Sequence, residues 1–176
     1  MDKYIALLRG VNVGGHHQAP MATLKKMLEG MGFANVKTLL ASGNVIFEAN
    51  KENLSSRAKK LETTLAKTFG FPISVLLRTK RDIERLVESQ PFKGIKVTPE
   101  TRLYVTFLPG KPKSAKIPKL PSKDFQVLSV TETYVCSVLR LSENKRTVDL
   151  MEALEKEFGK NITTRNWNTV EKIAKM

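Results

Sequence analysis

The first apolar run, Tyr4-Ile5-Ala6-Leu7-Leu8, carries no polar position and stops at Arg9-Gly10-Val11-Asn12-Val13-Gly14-Gly15. Such a run, ending at three glycines within six residues, reads as a buried strand opening into a close-turning loop. The strand is expected over Lys3 to Arg9. Pro20 then suits the first turn of a helix, where its missing N–H costs nothing. Leu24, Met27, Leu28 and Met31 recur at helical spacing, and Gly32 stands where a left-handed cap is wanted. Val36 to Ala41 predicts a second strand, Ser42-Gly43-Asn44 a tight turn, and Val45-Ile46-Phe47 a third strand. Asn50 is the expected cap of a second helix. That helix has Leu54, Ala58, Leu61, Leu65 and Phe69 inward, Arg57, Lys59, Lys60 and Lys67 outward, and Gly70 at its end. Ile73 to Leu77 predicts a fourth strand.

Strand, helix, strand, strand, helix, strand is the split βαβ, ferredoxin-like order. A connecting helix follows, with Thr79 as cap, Asp82 in its first turn, and Ile83, Leu86 and Val87 inward. Pro91 closes it. The pattern then repeats: a strand over Leu103 to Leu108, a hairpin of Phe125 to Val130 and Tyr134 to Arg140, a helix over Thr147 to Phe158, a short strand over Asn161 to Thr164, and a terminal helix over Asn166 to Lys175. One element breaks the repeat. The second half has Pro109, Pro112, Pro118 and Pro121 where its first helix should be, a density that forbids a long helix. At most one turn, near Ser114 to Ile117, is expected there. The fold class is therefore α+β, two ferredoxin-like halves with antiparallel sheets plus a connecting helix and a C-terminal helix. The expected boundaries are 1–78 for the first half, 79–100 for the connection and 101–176 for the second half.

Charge changes the picture. The 176 residues carry 30 Lys and Arg against 17 Asp and Glu, a formal net charge of +13. Such an excess favours an anionic partner, nucleic acid or a phosphorylated or carboxylated small molecule. Candidate polyanion contacts are Arg57, Lys59 and Lys60 on the second helix, and Lys111, Lys113 and Lys116 in the proline-rich stretch, where Lys119 and Lys123 add further charge. One cysteine, Cys136, excludes an internal disulfide, fits a reducing cytoplasm, and reads as a small core residue. No apolar stretch approaches the roughly 20 residues that span a bilayer, so no membrane role is expected.

Topology brings distant motifs together. With strand three antiparallel between strands one and two, strand one ends where strand two turns into strand three. Arg9, Asn12, Gly14 and Gly15 should therefore meet Ser42, Gly43 and Asn44 at one rim. Arg offers a planar cationic fork, Asn both donor and acceptor, and glycine a close approach to the backbone. That set suits an anion or a polar ring and contains no evident general base. A third stretch, Thr163-Thr164-Arg165-Asn166-Trp167-Asn168, precedes the last helix, whose start is a ready anion site. Arg165, Asn166 and Asn168 join the candidate ligand residues, with Thr164 or Asn166 as the expected cap and Trp167 as a core anchor. The glycines do not fit the dinucleotide or P-loop spacings. His16 and His17 lack further ligands, so neither a metal nor another cofactor is expected.

The stretches Tyr4 to Gly15, Ser42 to Phe47 and Thr163 to Thr169 together resemble the bacterial family catalogued as domain of unknown function 1697. The resemblance implies a compact α+β protein of two ferredoxin-like halves. It implies no activity and transfers no catalytic residue. Many relatives carry Lys or Asn after Gly15 where this chain has His16-His17. Three readings follow: a non-catalytic binder of nucleic acid or another polyanion, a small-ligand site or enzyme at the Arg9–Gly15 loop, and a protein-interaction module.

Overall fold

A computed structural model describes residues 1–114, 116–118, 123–142 and 147–176. The chain divides into two units, 1–85 with 173–176, and 86–172. The first contains β1 (Asp2–Leu8), α1 (Met21–Gly30), β2 (Ala34–Leu39), β3 (Asn44–Ala49), α2 (Leu54–Phe69) and β4 (Val75–Thr79), and α3 (Lys80–Glu88) starts directly after β4. Its sheet order is β2-β3-β1-β4. β3 runs antiparallel to both β1 and β2, so those two strands are parallel, as a split βαβ unit requires.

Alternation along β1 explains the unbroken apolar run. Tyr4, Ala6 and Leu8 share a core with Leu24 and Leu28 of α1 and Leu61 and Leu65 of α2. Ile5 and Leu7, on the other face, are also buried, so neither face tolerates a polar residue. The strand stops at Leu8, and the Arg9 N–H turns to the Ser74 carbonyl at 2.9 Å. β2 starts two residues before its patterned position, across a bulge between Ala34 and Lys37 where Asn35 has φ +51°.

Helix ends follow their local chemistry. Gly32 closes α1 at φ +83°. Asn53, not Asn50, caps α2, its side-chain oxygen accepting the Ser56 N–H at 3.1 Å. Asn50 instead gives its backbone carbonyl to the Arg57 guanidinium. Thr79 and Asp82 form a reciprocal capping box on α3, at 3.0 and 3.1 Å.

The second unit repeats the topology. It comprises β5 (Thr101–Phe107), β6 (Phe125–Val130), β7 (Tyr134–Arg140), α4 (Thr147–Phe158) and β8 (Thr163–Asn166), and α5 (Trp167–Lys175) starts within it. The sheet order is β6-β7-β5-β8, the counterpart of the first. Tyr104, Leu108, Phe125, Val127, Val135 and Leu139 pack with Leu150 and Leu154 of α4. Between β5 and β6 the described residues hold no helix, in keeping with the prolines. Ala115, Lys119 and Pro121 lie outside the described residues, and with Ala115 goes the turn expected over Ser114 to Ile117. Cys136 is fully buried, and burial pushes its thiol up to about 11. No helix among the described residues is long and apolar enough to cross a membrane.

Candidate functional site

The glycine loop is a small hairpin. The Asn12 N–H donates to the His17 carbonyl at 3.0 Å and the His16 N–H to the Val13 carbonyl at 3.1 Å. Gly14 and Gly15 sit between them at φ +59° and +76°, the positive pair of a type I′ turn. His17 lies flat on Phe71, ring centres 4.7 Å apart. No cluster of three His, Cys, Asp or Glu suited to a metal occurs among the described residues.

The two turns do meet. The Asn12 amide donates to the Ala41 carbonyl at 2.7 Å and to the Ala19 carbonyl at 3.1 Å, while its oxygen accepts the Ala19 N–H at 2.8 Å. The Leu8 N–H donates to the Gly43 carbonyl at 2.9 Å. Gly43, at φ +76°, has no room for a side chain: a Cβ would stand 2.7 Å from Val11 Cγ2. Asn44 is fully buried, its amide donating to the Leu39 carbonyl and to Ser42 Oγ. The expected residues are therefore neighbours, but Asn12, Ser42 and Asn44 hold the rim itself together. What the rim shows to solvent is Gly14 and Gly15 with Val13 (66 % exposed) and Leu40 (50 %), together with the exposed His16, His17, Gln18 and Ser42. Arg9 lies half-buried beside them.

The basic residues divide as sharply. Arg57 is 3 % exposed and stacks over the Tyr4 ring at 4.4 Å, so it is no part of an outer basic face. Its position explains this, being three residues after Leu54 and four before Leu61, on the apolar stripe. Lys59 is exposed. Lys60 pairs with Glu52 at 2.5 Å, and its hydrogen bond is the main cause that holds the Glu52 carboxyl below the usual range. Lys111 pairs with Glu132 at 2.9 Å, both exposed to water, where such pairs contribute little. Lys113 and Lys116 are exposed. A groove of about 680 Å3 lies in the second unit between Leu108–Ser114 and the end of α4, lined by Lys111, Lys113 and Lys156 with Phe158 and Glu157.

The third stretch separates by strand alternation. Arg165 points inward, donating to Thr163 Oγ1 at 2.8 Å and the Thr164 carbonyl at 2.9 Å, and desolvation pushes its guanidinium down to about 10. Thr164 Oγ1 is engaged with Thr106 Oγ1 at 2.8 Å. Asn166 and Asn168 are exposed and make no side-chain hydrogen bond among the described residues, so neither expected cap closes α5. Trp167 is partly exposed and meets Phe92 edge-on at 5.1 Å, so it anchors and also borders solvent. A second groove, of about 450 Å3, opens here between the start of β5 and the start of α5. Arg102, Thr169 and Lys172 line it; Thr169 closes the third family-like stretch, whereas Arg102 and Lys172 carried no signal in the sequence, since only the pairing of β5 with β8 brings Arg102 to α5.

A sequence profile described as "Protein of unknown function (DUF1697)" matches residues 1–137. The chain belongs to the DUF1697 family. Two of the three characteristic stretches lie inside the matched span, and Thr163 to Thr169 lies beyond it. DUF1697 membership brings no reaction with it, the family being described only as of unknown function. A solved structure, that of the conserved bacterial protein SP0830 from Streptococcus pneumoniae, is similar to this DUF1697 chain with a TM-score of 0.71 at 24% identity. The likeness covers 99% of this chain and 97% of that one, and concerns the fold. No curated protein matches.

Proposed function

We propose that this DUF1697 protein is a non-catalytic binder of a polyanion, nucleic acid first among them, through the lysine-bearing groove of its second unit. One observation carries the reading. Lys113 and Lys156 line that groove, Lys116 and Lys160 follow its lining segments in sequence, and all four are exposed and form no ion pair among the described residues, in a chain of net charge +13. Flexible exposed lysines follow a phosphate backbone by charge alone, without base readout. Arg57, being buried, contributes nothing to such contacts. The alternative of a small ligand at the Arg9–Gly15 loop loses support, because its Asn12 and the adjoining Asn44 are engaged with backbone.

The test is anisotropy of labelled single-stranded and duplex oligonucleotides across a salt series. Contact with about five phosphates gives a log–log slope near −4.5 on duplex DNA. The pair of changes Lys113→Gln and Lys116→Gln should flatten that slope by about 2. Absence of binding at the lowest salt, or a slope indifferent to these changes, removes the proposal.

A further inference from the structure

We infer that the groove at the start of α5 is a separate site for a small phosphorylated ligand carrying a planar ring, of mononucleotide size. It does not rest on the polyanion reading, since its lining, Arg102, Asn166, Trp167, Asn168, Thr169 and Lys172 among others, shares no residue with the lysine-bearing groove.

The argument starts from groups that the protein leaves unanswered. The first N–H groups of any helix lack internal partners. Asn53 answers them in α2 and the Thr79–Asp82 box in α3. At α5 the Asn166 and Asn168 carboxamides bond to nothing among the described residues. Thr169 is the independent observation. It is 8 % exposed, it lines the groove, and its hydroxyl has no hydrogen-bond partner among the described residues. Other helical threonines satisfy themselves on the carbonyl four residues back, as Thr63, Thr64 and Thr68 do. The Thr169 hydroxyl therefore meets the groove with no protein partner to give up before it bonds a ligand.

Charge then decides the class of ligand. Arg102 directs Nη1 to the Pro99 and Thr101 carbonyls at 2.6 and 3.0 Å, which fixes the guanidinium and leaves Nε and Nη2 unengaged. Lys172 lies three residues after Thr169 and four after Asn168, on the same helix face, and forms no ion pair among the described residues. No carboxylate lines the groove. Two cations, a helix start and an unpartnered hydroxyl lining one groove make a receptor for a phosphate dianion. Trp167 adds an aromatic wall whose ring is steadied by Phe92, a surface for a planar ring. A volume of about 450 Å3 suits a single nucleotide rather than a polymer.

The chain's one tryptophan is in this wall, so its fluorescence reports occupancy directly. The intact protein is titrated with uridine 5′-monophosphate, inorganic phosphate and uridine. The nucleotide should give a saturable change, phosphate should compete with it at higher concentration, and uridine should do nothing. Arg102→Gln and Lys172→Gln should each weaken the nucleotide about tenfold, the loss of one charge-assisted hydrogen bond. Thr169→Val, nearly isosteric, should weaken it several-fold, and Lys113→Gln should leave it unchanged. Circular dichroism verifies that each variant is folded; should Arg102→Gln unfold, Lys172→Gln and Thr169→Val decide. A flat response to all three probes, uridine binding as well as its phosphate, or undiminished affinity in both Lys172→Gln and Thr169→Val overturns the inference.

Discussion

Gly43→Ala tests whether the meeting of two turns holds the first unit together. Two costs add. At φ +76° an L side chain is strained by about 1–2 kcal/mol. The new methyl would also stand 2.7 Å from Val11 Cγ2 and 2.8 Å from Leu8 Cβ, on a strand whose Leu8 N–H is tied to Gly43 itself. Neither neighbour can yield freely, because Leu8 and Val11 are both buried in the same core, and overpacking of this kind costs about 1–3 kcal/mol. The total, about 3 kcal/mol, lowers Tm by roughly 6–12 °C in a chain of this length. Gly14→Ala is the control. Its φ is also positive, but nothing lies within 4 Å of the added carbon, so only the backbone cost of about 1–2 kcal/mol remains, roughly 2–8 °C. Far-UV circular dichroism during urea and thermal unfolding is the assay, since the lone tryptophan belongs to the other unit. If Gly43→Ala is no worse than Gly14→Ala, the close approach of the two turns is not a constraint and the reasoning fails.

Arg57→Met should stay within about 1 kcal/mol of the parent, whereas Arg57→Ala should cost about 3 kcal/mol, because the stem and ring contacts matter more than a guanidinium whose Nε and Nη1 have no hydrogen-bond partner. Urea midpoints at constant slope decide it, and a Met variant as damaged as the Ala variant would refute it. Cys136 should make stability fall with alkalinity. Burial holds its thiol near 11 in the folded chain against an ordinary 9.0, so the unfolded chain loses the proton first. Its contribution is complete below about pH 9 and disappears as pH rises toward 11, a loss of about 1.4 kcal/mol for each pH unit crossed. The difference between the parent and Cys136→Ala across that window isolates the thiol, and parallel pH profiles would count against it.

Topology was legible because it follows from the hydrophobic pattern. Short unbroken apolar runs at β1 and β3, a helical period between them, and glycines at the breaks leave few ways to thread four strands. The same logic reproduces the second sheet, although the described residues between β5 and β6 hold no helix, since strands register through their own alternation. Capping was less legible. Asn50 and Asn53 are equally good caps by type, and only the extended path of 50–53 selects the second. Arg57 shows a different failure: its spacing from Leu54 and Leu61 places it on the buried stripe, while its charge argues for exposure. A guanidinium over an aromatic ring satisfies both facts.

The asparagines carry that point to function. Asn12 and Asn166 are the same residue, each beside a turn, each a candidate for binding. Asn12 completes three hydrogen bonds to backbone within its own unit and has little left for a ligand. Asn166 completes none with its side chain among the described residues. Residue type measures how many hydrogen bonds a group can make; a binding site depends on how many remain unmade after folding. That remainder depends on where the Ala19 and Ala41 carbonyls fall in space, which no local pattern encodes. The rim at Gly14–Gly15 was the more conspicuous sequence, yet Asn12 and Asn44 close on its own backbone, while the start of α5 keeps a helix terminus, an unpartnered hydroxyl, the Lys172 ammonium and part of the Arg102 guanidinium open. Recognition should therefore concentrate in the second unit, with the glycine hairpin serving chiefly to fix the edge of the first.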